Sequence, residues 1–267
     1  FEAKGSLRFY GARIGRDLDL SESRLVNAED DAISAIGAEI KGRLLMRSAQ
    51  VAGTVVLGGA KIGGEIGLEG AHLSNPAGYA LAANGLDVHR GIHVNAETEF
   101  DGGVTLVGAS AGYLDHQPDI WPCTAKVRLN RFSFGALLGP VTARSCIRWL
   151  DKQRFDAKPG AFWPQPWEQC AKVLREAGQA NDARAVLIAK EKRQRAARRA
   201  RSAQPRRVFL WLGDGLLGLT VRYGRRPMLA FAWLAVIWLL GAAIFHQADR
   251  AGALRPNNGG VLLSASW

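Results

Sequence analysis

The sequence predicts a mainly β protein, in which a right-handed β-helix of the pentapeptide-like solenoid type is followed by an α-helical hairpin and one transmembrane helix. A nine-residue pattern recurs every 22 to 26 residues near the start of the chain. The hydrophobic period then becomes helical, and an uncharged apolar run follows. The predicted segments are a solenoid at 1–117, a helical cap at 118–203, a basic juxtamembrane and interfacial segment at 204–226, a transmembrane helix at 227–245 and a truncated extracytoplasmic tail at 246–267.

Composition excludes several classes of protein. With 48% hydrophobic and 22% charged residues, the 267-residue chain is not a disordered one. The net charge of +11 is unevenly spread, because residues 1–117 carry a net −5 and residues 190–226 carry +10. Three cysteines without a C-x-x-C pair exclude a disulfide-stapled secreted scaffold and an all-cysteine zinc site. They indicate a reducing compartment, so we expect the soluble part to face the cytoplasm.

The solenoid prediction rests on the pattern [AL]-x-[IV]-x-x-x-[LI]-x-[LMV]. Its anchors are Ile14, Ile40, Ile62 and Val88, spaced 26, 22 and 26 residues apart. In a coil of a few strands, inward side chains stack on their equivalents in the next coil, so large aliphatic residues fill the lumen. The unequal spacing predicts loops of variable length at one corner. Helix is disfavoured because 19 of the 31 glycines lie before residue 118, at roughly 1 kcal/mol each relative to alanine.

Three helices are predicted after the solenoid. Apolar residues within 141–153 have helical spacing, the prolines at 164–166 begin a second helix, and Gly178 ends it. Asn181 or Asp182 then caps a third helix. The resulting αα-hairpin either caps the open end of the solenoid or binds a partner peptide. We favour capping, because an open end exposes an apolar lumen and unpaired strand edges.

The run at 227–245 predicts the transmembrane helix. Nineteen uncharged residues span about 28 Å, close to the roughly 30 Å of bilayer hydrocarbon. A buried core helix is the alternative, but Trp233 and Trp238 lie in a run that is apolar on all sides. The basic flank before the run orients its N-terminal side towards the cytoplasm. Ahead of it, the apolar stretch 208–221, broken by glycines, is a candidate interfacial helix.

Twelve basic residues precede this run and are predicted to contact the membrane surface. They are Lys190, Lys192, Arg193, Arg195, Arg198, Arg199, Arg201, Arg206, Arg207, Arg222, Arg225 and Arg226. A cluster at this position is attracted to anionic lipid headgroups by about 1 kcal/mol per residue. Nucleic-acid phosphates are the rival partner, but no recognition fold, interleaved aromatic platform or zinc motif accompanies the cluster. We therefore favour lipid, and nucleic acid is not the expected partner.

At the repeats, and at the runs 164–178 and 182–190, the chain resembles the pentapeptide-repeat superfamily in its looser variant. More specifically, it is similar to a bacterial family of membrane-anchored β-solenoid proteins that commonly carry the label "membrane-associated oxidoreductase". The resemblance implies the bacterial inner membrane, with the soluble part in the cytoplasm. The tail at 254–257 and 261–267 also resembles that family, whose chains usually continue to a further hydrophobic segment. We therefore expect the sequence to be a piece of a longer protein.

Motifs for catalysis are missing from the sequence, and no cofactor or metal is predicted. No G-x-G-x-x-G occurs, so the word "oxidoreductase" has no support in these residues. His89 and His93 form H-x-x-x-H, but in a strand these two residues lie about 13 Å apart, which disfavours metal binding. Cys146 and Cys170 lie on apolar faces and are predicted to be core residues. No Ser/His/Asp set stands out by spacing, although spacing does not reveal sets that form in space.

The predicted function is a membrane-anchored scaffold or protein-binding module that presents a β-solenoid to the cytoplasm and has no chemistry of its own. Repeats without site motifs, together with a helical hairpin and an anchor, favour this reading. Its ligand would be another protein. The alternative is a membrane-associated oxidoreductase with an unrecognised cofactor site. A third hypothesis is a solenoid that mimics or touches nucleic acid.

Overall fold

The fold was examined in a computed structural model, which describes residues 1–117, 120–122, 127–153, 161–201 and 228–251, with side chains of the last stretch described from 234. The chain forms two compact units, Phe1–Ala203 and Gln204–Trp267. The first unit contains all sixteen strands and three helices of the described residues, and the second contains one helix.

The strands are short and follow one another at regular intervals. In chain order they are β1 (Glu2–Lys4), β2 (Leu7–Arg8), β3 (Arg13–Ile14), β4 (Leu18–Asp19), β5 (Arg24–Ser34), β6 (Glu39–Ile40), β7 (Leu44–Leu45), β8 (Gln50–Val56), β9 (Lys61–Ile62), β10 (Ile66–Gly67), β11 (His72–Ala82), β12 (Asp87–His93), β13 (Glu99–Thr105), β14 (Ser110–Asp115), β15 (Val127–Arg128) and β16 (Ser133–Leu138).

These strands form a parallel β-solenoid of about six turns. Sheet A contains seven strands, in the order β1-β5-β8-β11-β13-β15 with β2 beside β5, and sheet B contains the other nine. The repeat anchors predicted from the sequence pair directly, Ile14 with Ile40, Ile40 with Ile62 and Ile62 with Val88. The predicted solenoid is thus confirmed, and β15 and β16 extend its sheets past residue 117 to Leu138.

The lumen is a set of aliphatic columns. One column contains Leu44, Ile66 and Ile92 at successive coils of sheet B, and each is at most 5% exposed. Alanines such as Ala38 and Ala60 occupy the tight corner positions and are fully buried. Every coil buries its apolar face only against the neighbouring coils. The stability of the solenoid is therefore approximately a sum of contributions from the individual coils and from the interfaces between them.

The extra residues of the longer coils all lie at one place in the coil, where Gly5 separates β1 from β2 in the first coil. They lie inside β5 and β11, which have eleven residues each, where the register shifts between Val26 and Asp31 and between Asn75 and Tyr79. The chain bulges outward there while the strand on either side keeps its pairing. Gly102 passes beneath the second bulge, where an added Cβ would lie 2.4 Å from a backbone oxygen.

One corner of the solenoid needs a positive φ in every coil. Gly37, Gly59, Gly85 and Gly108 occupy it with φ between +63° and +70°, a region that glycine adopts without steric cost. In the last coil, Arg131 occupies this corner position instead of a glycine, and its φ is +59°. A residue with a Cβ is strained in this region by about 1 kcal/mol or more, so the surroundings of Arg131 must hold it.

Three helices follow the last coil. They are α1 (Ala143–Asp151), α2 (Gln165–Glu176) and α3 (Ala180–Arg201). The hairpin turn between α2 and α3 is the predicted one, because Gly178 has φ +79° and its N–H donates to the carbonyl of Arg175. Asp182 caps a different helix from the predicted one: its carboxylate accepts from the N–H of Ala143 at the start of α1, 3.0 Å away.

Helix α2 covers the open end of the solenoid with two glutamines. Gln165 Oε1 accepts from the N–H of Arg131 at 2.7 Å, and Gln165 Nε2 donates to the carbonyl of Phe132 at 3.2 Å. One turn later, Gln169 Nε2 donates to the carbonyl of Phe134 at 2.7 Å. In the preceding coil the N–H of Gly108 donates to a carbonyl of the next coil. The glutamines therefore replace part of the backbone that a seventh coil would supply.

The predicted fold class is wrong in its last element. Helix α4 (Met228–Arg250) lies where the transmembrane helix at 227–245 was predicted, but among the described residues no helix has both the length and the hydropathy to cross a membrane. The C-terminal turn of α4 carries His246, Gln247, Asp249 and Arg250, side chains that the hydrocarbon of a bilayer disfavours.

Candidate functional site

Sheet B carries a cluster of polar side chains on its outward face. The pleat turns Ile92 and Leu114 into the lumen, so that the residues beside them in β12 and β14 point outward. Among these, Tyr113 pairs with Gly91, and Asp115 pairs with His93. We call the set Arg47, Glu65, His93, Tyr113 and Asp115 the His93 cluster.

Gly91 makes room for the tyrosine of the cluster. A Cβ at position 91 would lie 2.3 Å from the Tyr113 ring, which is far inside van der Waals contact. The ring therefore lies flat across its neighbouring coil, and its hydroxyl donates to Glu65 Oε2, 3.2 Å away and two coils back. A single side chain in this way connects three successive coils.

His93 connects this tyrosine to a second carboxylate. Its Nε2 lies 2.6 Å from the Tyr113 hydroxyl, and its Nδ1 lies 3.2 Å from Asp115 Oδ2. The two rings meet edge to face, with centroids 5.0 Å apart. The four side chains form a continuous chain of polar contacts between Asp115 and Glu65.

Arg47 lies near one carboxylate inside the cluster and pairs with another beside it. Arg47 Nη2 lies 3.9 Å from Glu65 Oε1, and Arg47 Nε lies 3.3 Å from Glu69 Oε2. Burial, followed by the hydrogen bond to Glu65, raises the pKa of Tyr113 above its ordinary value of 10.0. The phenol is therefore protonated at neutral pH and acts as a donor towards Glu65. The His93 side chain is 24% exposed and that of Glu65 is 17% exposed, so the centre of the cluster is accessible but partly shielded.

A second histidine is buried where the solenoid meets the helices. His116 accepts a hydrogen bond on Nδ1 from Trp121 Nε1 at 2.9 Å, and its ring centroid lies 4.5 Å from that of Trp149. Burial lowers its pKa from 6.5 to about 4. It is therefore neutral at physiological pH, which suits its place in an aromatic layer between the last coils and α1.

The structure describes seven of the twelve basic residues predicted to contact the membrane surface. Lys190 is buried and its Nζ contacts Glu168 and also Glu191, the latter at 3.3 Å. Arg193 forms a two-pronged ion pair with Asp151, at 2.6 and 2.8 Å. These two cations hold α3 against α2 and α1.

The other predicted basic residues fall into two groups. Five lie on α3, where Lys192, Arg198 and Arg201 are exposed and Arg195 and Arg199 are half-buried. The rest lie outside the described residues: Arg206, Arg207, Arg222, Arg225 and Arg226. The candidate interfacial helix at 208–221 lies outside them as well.

Two of the three cysteines meet inside the cap. Cys146 on α1 and Cys170 on α2 are both buried and free, and their side chains are hydrogen-bonded. The contact with Cys146, together with burial, raises the pKa of the Cys170 thiol. Both residues lie in the apolar core, where the sequence placed them, but their mutual contact was not predicted. Cys123 lies outside the described residues.

Within the described part of the chain, no group of three or more His, Cys, Asp or Glu side chains is arranged to hold a metal ion. His89 and His93 both lie in β12, as the solenoid repeat predicts. His89 is exposed, whereas His93 belongs to the cluster.

Motif searches missed the His93 cluster because its members come from four coils. Glu65, Gly91 and Tyr113 occupy equivalent places in successive coils, about one repeat apart. Extending the repeat alignment past Val88 and marking the polar residues at outward positions would have placed them side by side.

Comparisons of the chain with protein-family models, with curated proteins and with solved structures find no match.

Proposed function

We propose that this protein is a scaffold module that binds another protein across the outward face of sheet B and performs no chemistry of its own. The observation that carries the proposal is the His93 cluster, a group of polar side chains already ordered by hydrogen bonds on an accessible face.

The filled lumen supports an outer binding surface. The cavity enclosed by residues such as Leu68, Ile92 and Phe100 measures about 10 Å³, which is at the lower limit for one water molecule. Small-molecule pockets need about 300 Å³ or more. A ligand of this solenoid therefore binds outside the coils.

The order of the cluster supports recognition of a folded partner. Immobilising a flexible side chain at an interface costs about 0.5–1.5 kcal/mol, and the internal hydrogen bonds of Tyr113, His93 and Arg47 meet much of that cost before binding. Tyrosine and arginine are also the residue types that most often dominate binding energy.

The proposal is tested by photocrosslinking in cells that naturally carry the protein. A photoreactive amino acid replaces Arg90, an exposed residue of β12 beside the cluster, or Gln50, an exposed residue of sheet A used as the matched control. We expect one discrete adduct from position 90, with a yield at least about tenfold lower after Arg47→Ala. Equal adducts from both positions, or none from position 90, would refute the proposal. A purified chain with flavin or nicotinamide absorbance would favour the oxidoreductase alternative.

Helix α3 supports a second role, the binding of anionic lipid headgroups. The helix contains eight basic and two acidic residues, and Lys192, Arg198 and Arg201 are exposed on it. At about 1 kcal/mol per cation, replacing all three by glutamine should weaken association with phosphatidylserine vesicles by roughly 10- to 100-fold at low salt. Arg184→Gln removes an exposed charge near the other end of the helix and serves as control. Equal cosedimentation of the triple variant and the control contradicts this role.

A further inference from the structure

Tyr113 offers an aromatic platform on the outward face of sheet B. A Cβ added at Gly91 would lie between 2.3 and 2.6 Å from three atoms of its ring, so one face of the ring covers the backbone of Gly91. The residue is half-buried, and the opposite face of the ring is turned away from the coil. Among the described residues, the ring contact of Tyr113 is an edge-to-face one with His93. The outward face of the ring therefore has no stacking partner in the described part of the chain.

Two carboxylates border this platform. Glu65 Oε2 lies 3.2 Å from the Tyr113 hydroxyl, at the far end of the ring. Asp115 follows Tyr113 by two residues in β14, which places it on the same face of the sheet. The Glu65 side chain is 17% exposed and that of Asp115 is 45% exposed. A ligand that covers the ring would therefore meet a negative charge on two sides.

The cations of the chain leave part of this negative charge uncompensated. Arg47 lies 3.3 Å from Glu69 and 3.9 Å from Glu65, so two carboxylates share its charge. Asp115 has no lysine or arginine within ion-pair distance among the residues that the structure describes. With Arg90, an exposed residue of β12, the surface holds three carboxylates and two guanidinium groups. A further cation is attracted there, and an anion is repelled by Asp115.

A guanidinium group has the chemistry that this arrangement matches. It is planar, it stacks on aromatic faces, and it forms two parallel hydrogen bonds with a carboxylate. The ring of Tyr113 supplies the aromatic face, and Asp115 supplies an accessible carboxylate beside it. An ammonium group is a compact and strongly hydrated point charge, so it uses the flat ring less well.

We propose that the partner of sheet B presents an arginine side chain, which stacks its guanidinium group on Tyr113 and pairs it with Asp115. This inference rests on the proposed scaffold function, because it names the group of the partner that the surface takes. Glu65 adds attraction at the hydroxyl end of the ring. The combination of a flat ring and a carboxylate selects a planar cation over other side chains.

The first test uses two probes of nearly equal shape, N-acetyl-arginine amide and the uncharged N-acetyl-citrulline amide. Each is titrated into the full chain, and the chemical shifts of the His93 ring protons give the Kd. We expect the arginine probe to bind at least about fivefold more tightly, since charge-assisted hydrogen bonds are roughly twice as strong as neutral ones. Asp115→Asn should remove this preference. Asp19→Asn, the same change four coils away in the same column of sheet B, is the matched control and should keep it.

A second pair of variants tests the ring independently of the carboxylate. Tyr113→Phe keeps an aromatic face and should retain most of the preference for arginine, whereas Tyr113→Leu should reduce it at least about threefold. In cells, Asp115→Asn should lower the yield of the adduct from position 90, and Asp19→Asn should not.

The two proposals fail in different ways. The arginine inference is overturned if the wild type binds both probes equally, if Asp115→Asn keeps the preference, or if Tyr113→Leu keeps it. A discrete adduct from position 90 would leave the scaffold function standing in each of these cases. Absence of that adduct refutes the scaffold function, and the probe titration still decides whether the surface takes a guanidinium group.

Discussion

The glutamine contacts of α2 provide the sharpest test of how the solenoid end is stabilised. Replacing Gln165 or Gln169 by methionine keeps the side-chain length and a similar helix propensity, but removes the amide that bonds to the last coil. The change therefore isolates the hydrogen bonds from packing and from helix formation.

The expected loss of unfolding free energy follows from the hydrogen bonds that each substitution removes. Gln165 makes two hydrogen bonds to the backbone of the last coil, and Gln169 makes one. A net hydrogen bond contributes about 1 kcal/mol, and the one to the N–H of Arg131 is exposed, so water replaces part of it. We expect losses of about 1–2 kcal/mol for Gln165→Met, about 1 kcal/mol for Gln169→Met and about 2–3 kcal/mol for the double variant.

Urea unfolding followed by circular dichroism measures these losses, and amide hydrogen exchange shows where they act. Exchange should become faster in β16 before it does so in β8, because the strand nearest the cap loses its support first. Gln194→Met on the exposed side of α3 provides the matched control and should change stability by less than about 0.5 kcal/mol.

If Gln165→Met and Gln194→Met unfold at the same urea concentration, the glutamine contacts do not stabilise the solenoid end. Unchanged exchange in β16 of the double variant would lead to the same conclusion. Either result would mean that apolar packing of the aromatic layer alone closes the solenoid.

Three further predictions concern single contacts. Gly91→Ala should displace the Tyr113 ring and cost about 1–3 kcal/mol in urea unfolding, since the new Cβ would lie 2.3 Å from that ring. His116 has a folded-state pKa of about 4, below its ordinary 6.5, so its contribution to stability is full above pH 6.5 and is lost as the pH falls towards 4. The wild type should lose about 2–3 kcal/mol more than His116→Phe between pH 7 and 4.5. Thr142→Ala should cost about 1 kcal/mol, because it removes the N-cap of α1.

Each of these three predictions has a control variant or an outcome that would contradict it. Gly58→Ala adds the same methyl group where the nearest atom is 3.8 Å away, and equal stability losses at 58 and 91 contradict the first prediction. If the wild type and His116→Phe lose the same stability on acidification, other groups cause the acid sensitivity. Thr142→Ser keeps the capping hydroxyl, so it should retain most of the stability that Thr142→Ala loses.

The sequence alone predicted the structure correctly where burial requires apolar residues to recur at a fixed spacing. Ile14, Ile40 and Ile62 recur because each must fill the same place in the lumen, and Gly178 marks a turn that needs a positive φ. The uncharged run at 227–245 correctly predicted a helix, found at Met228–Arg250, but among the described residues no helix has both the length and the hydropathy to cross a membrane.

By itself, the sequence determined the solenoid, its repeat and the helical hairpin. Inward side chains must be apolar at a fixed spacing in each coil, and the hairpin helices show apolar residues at helical spacing. Only the tertiary structure decided which outward side chains meet. Tyr113 contacts Glu65, which is 48 positions away in the sequence, and Gln165 replaces a missing carbonyl 34 positions from Arg131. Outward positions share the register of the coils but tolerate many residue types, so their side-chain contacts are fixed only after the coils have stacked.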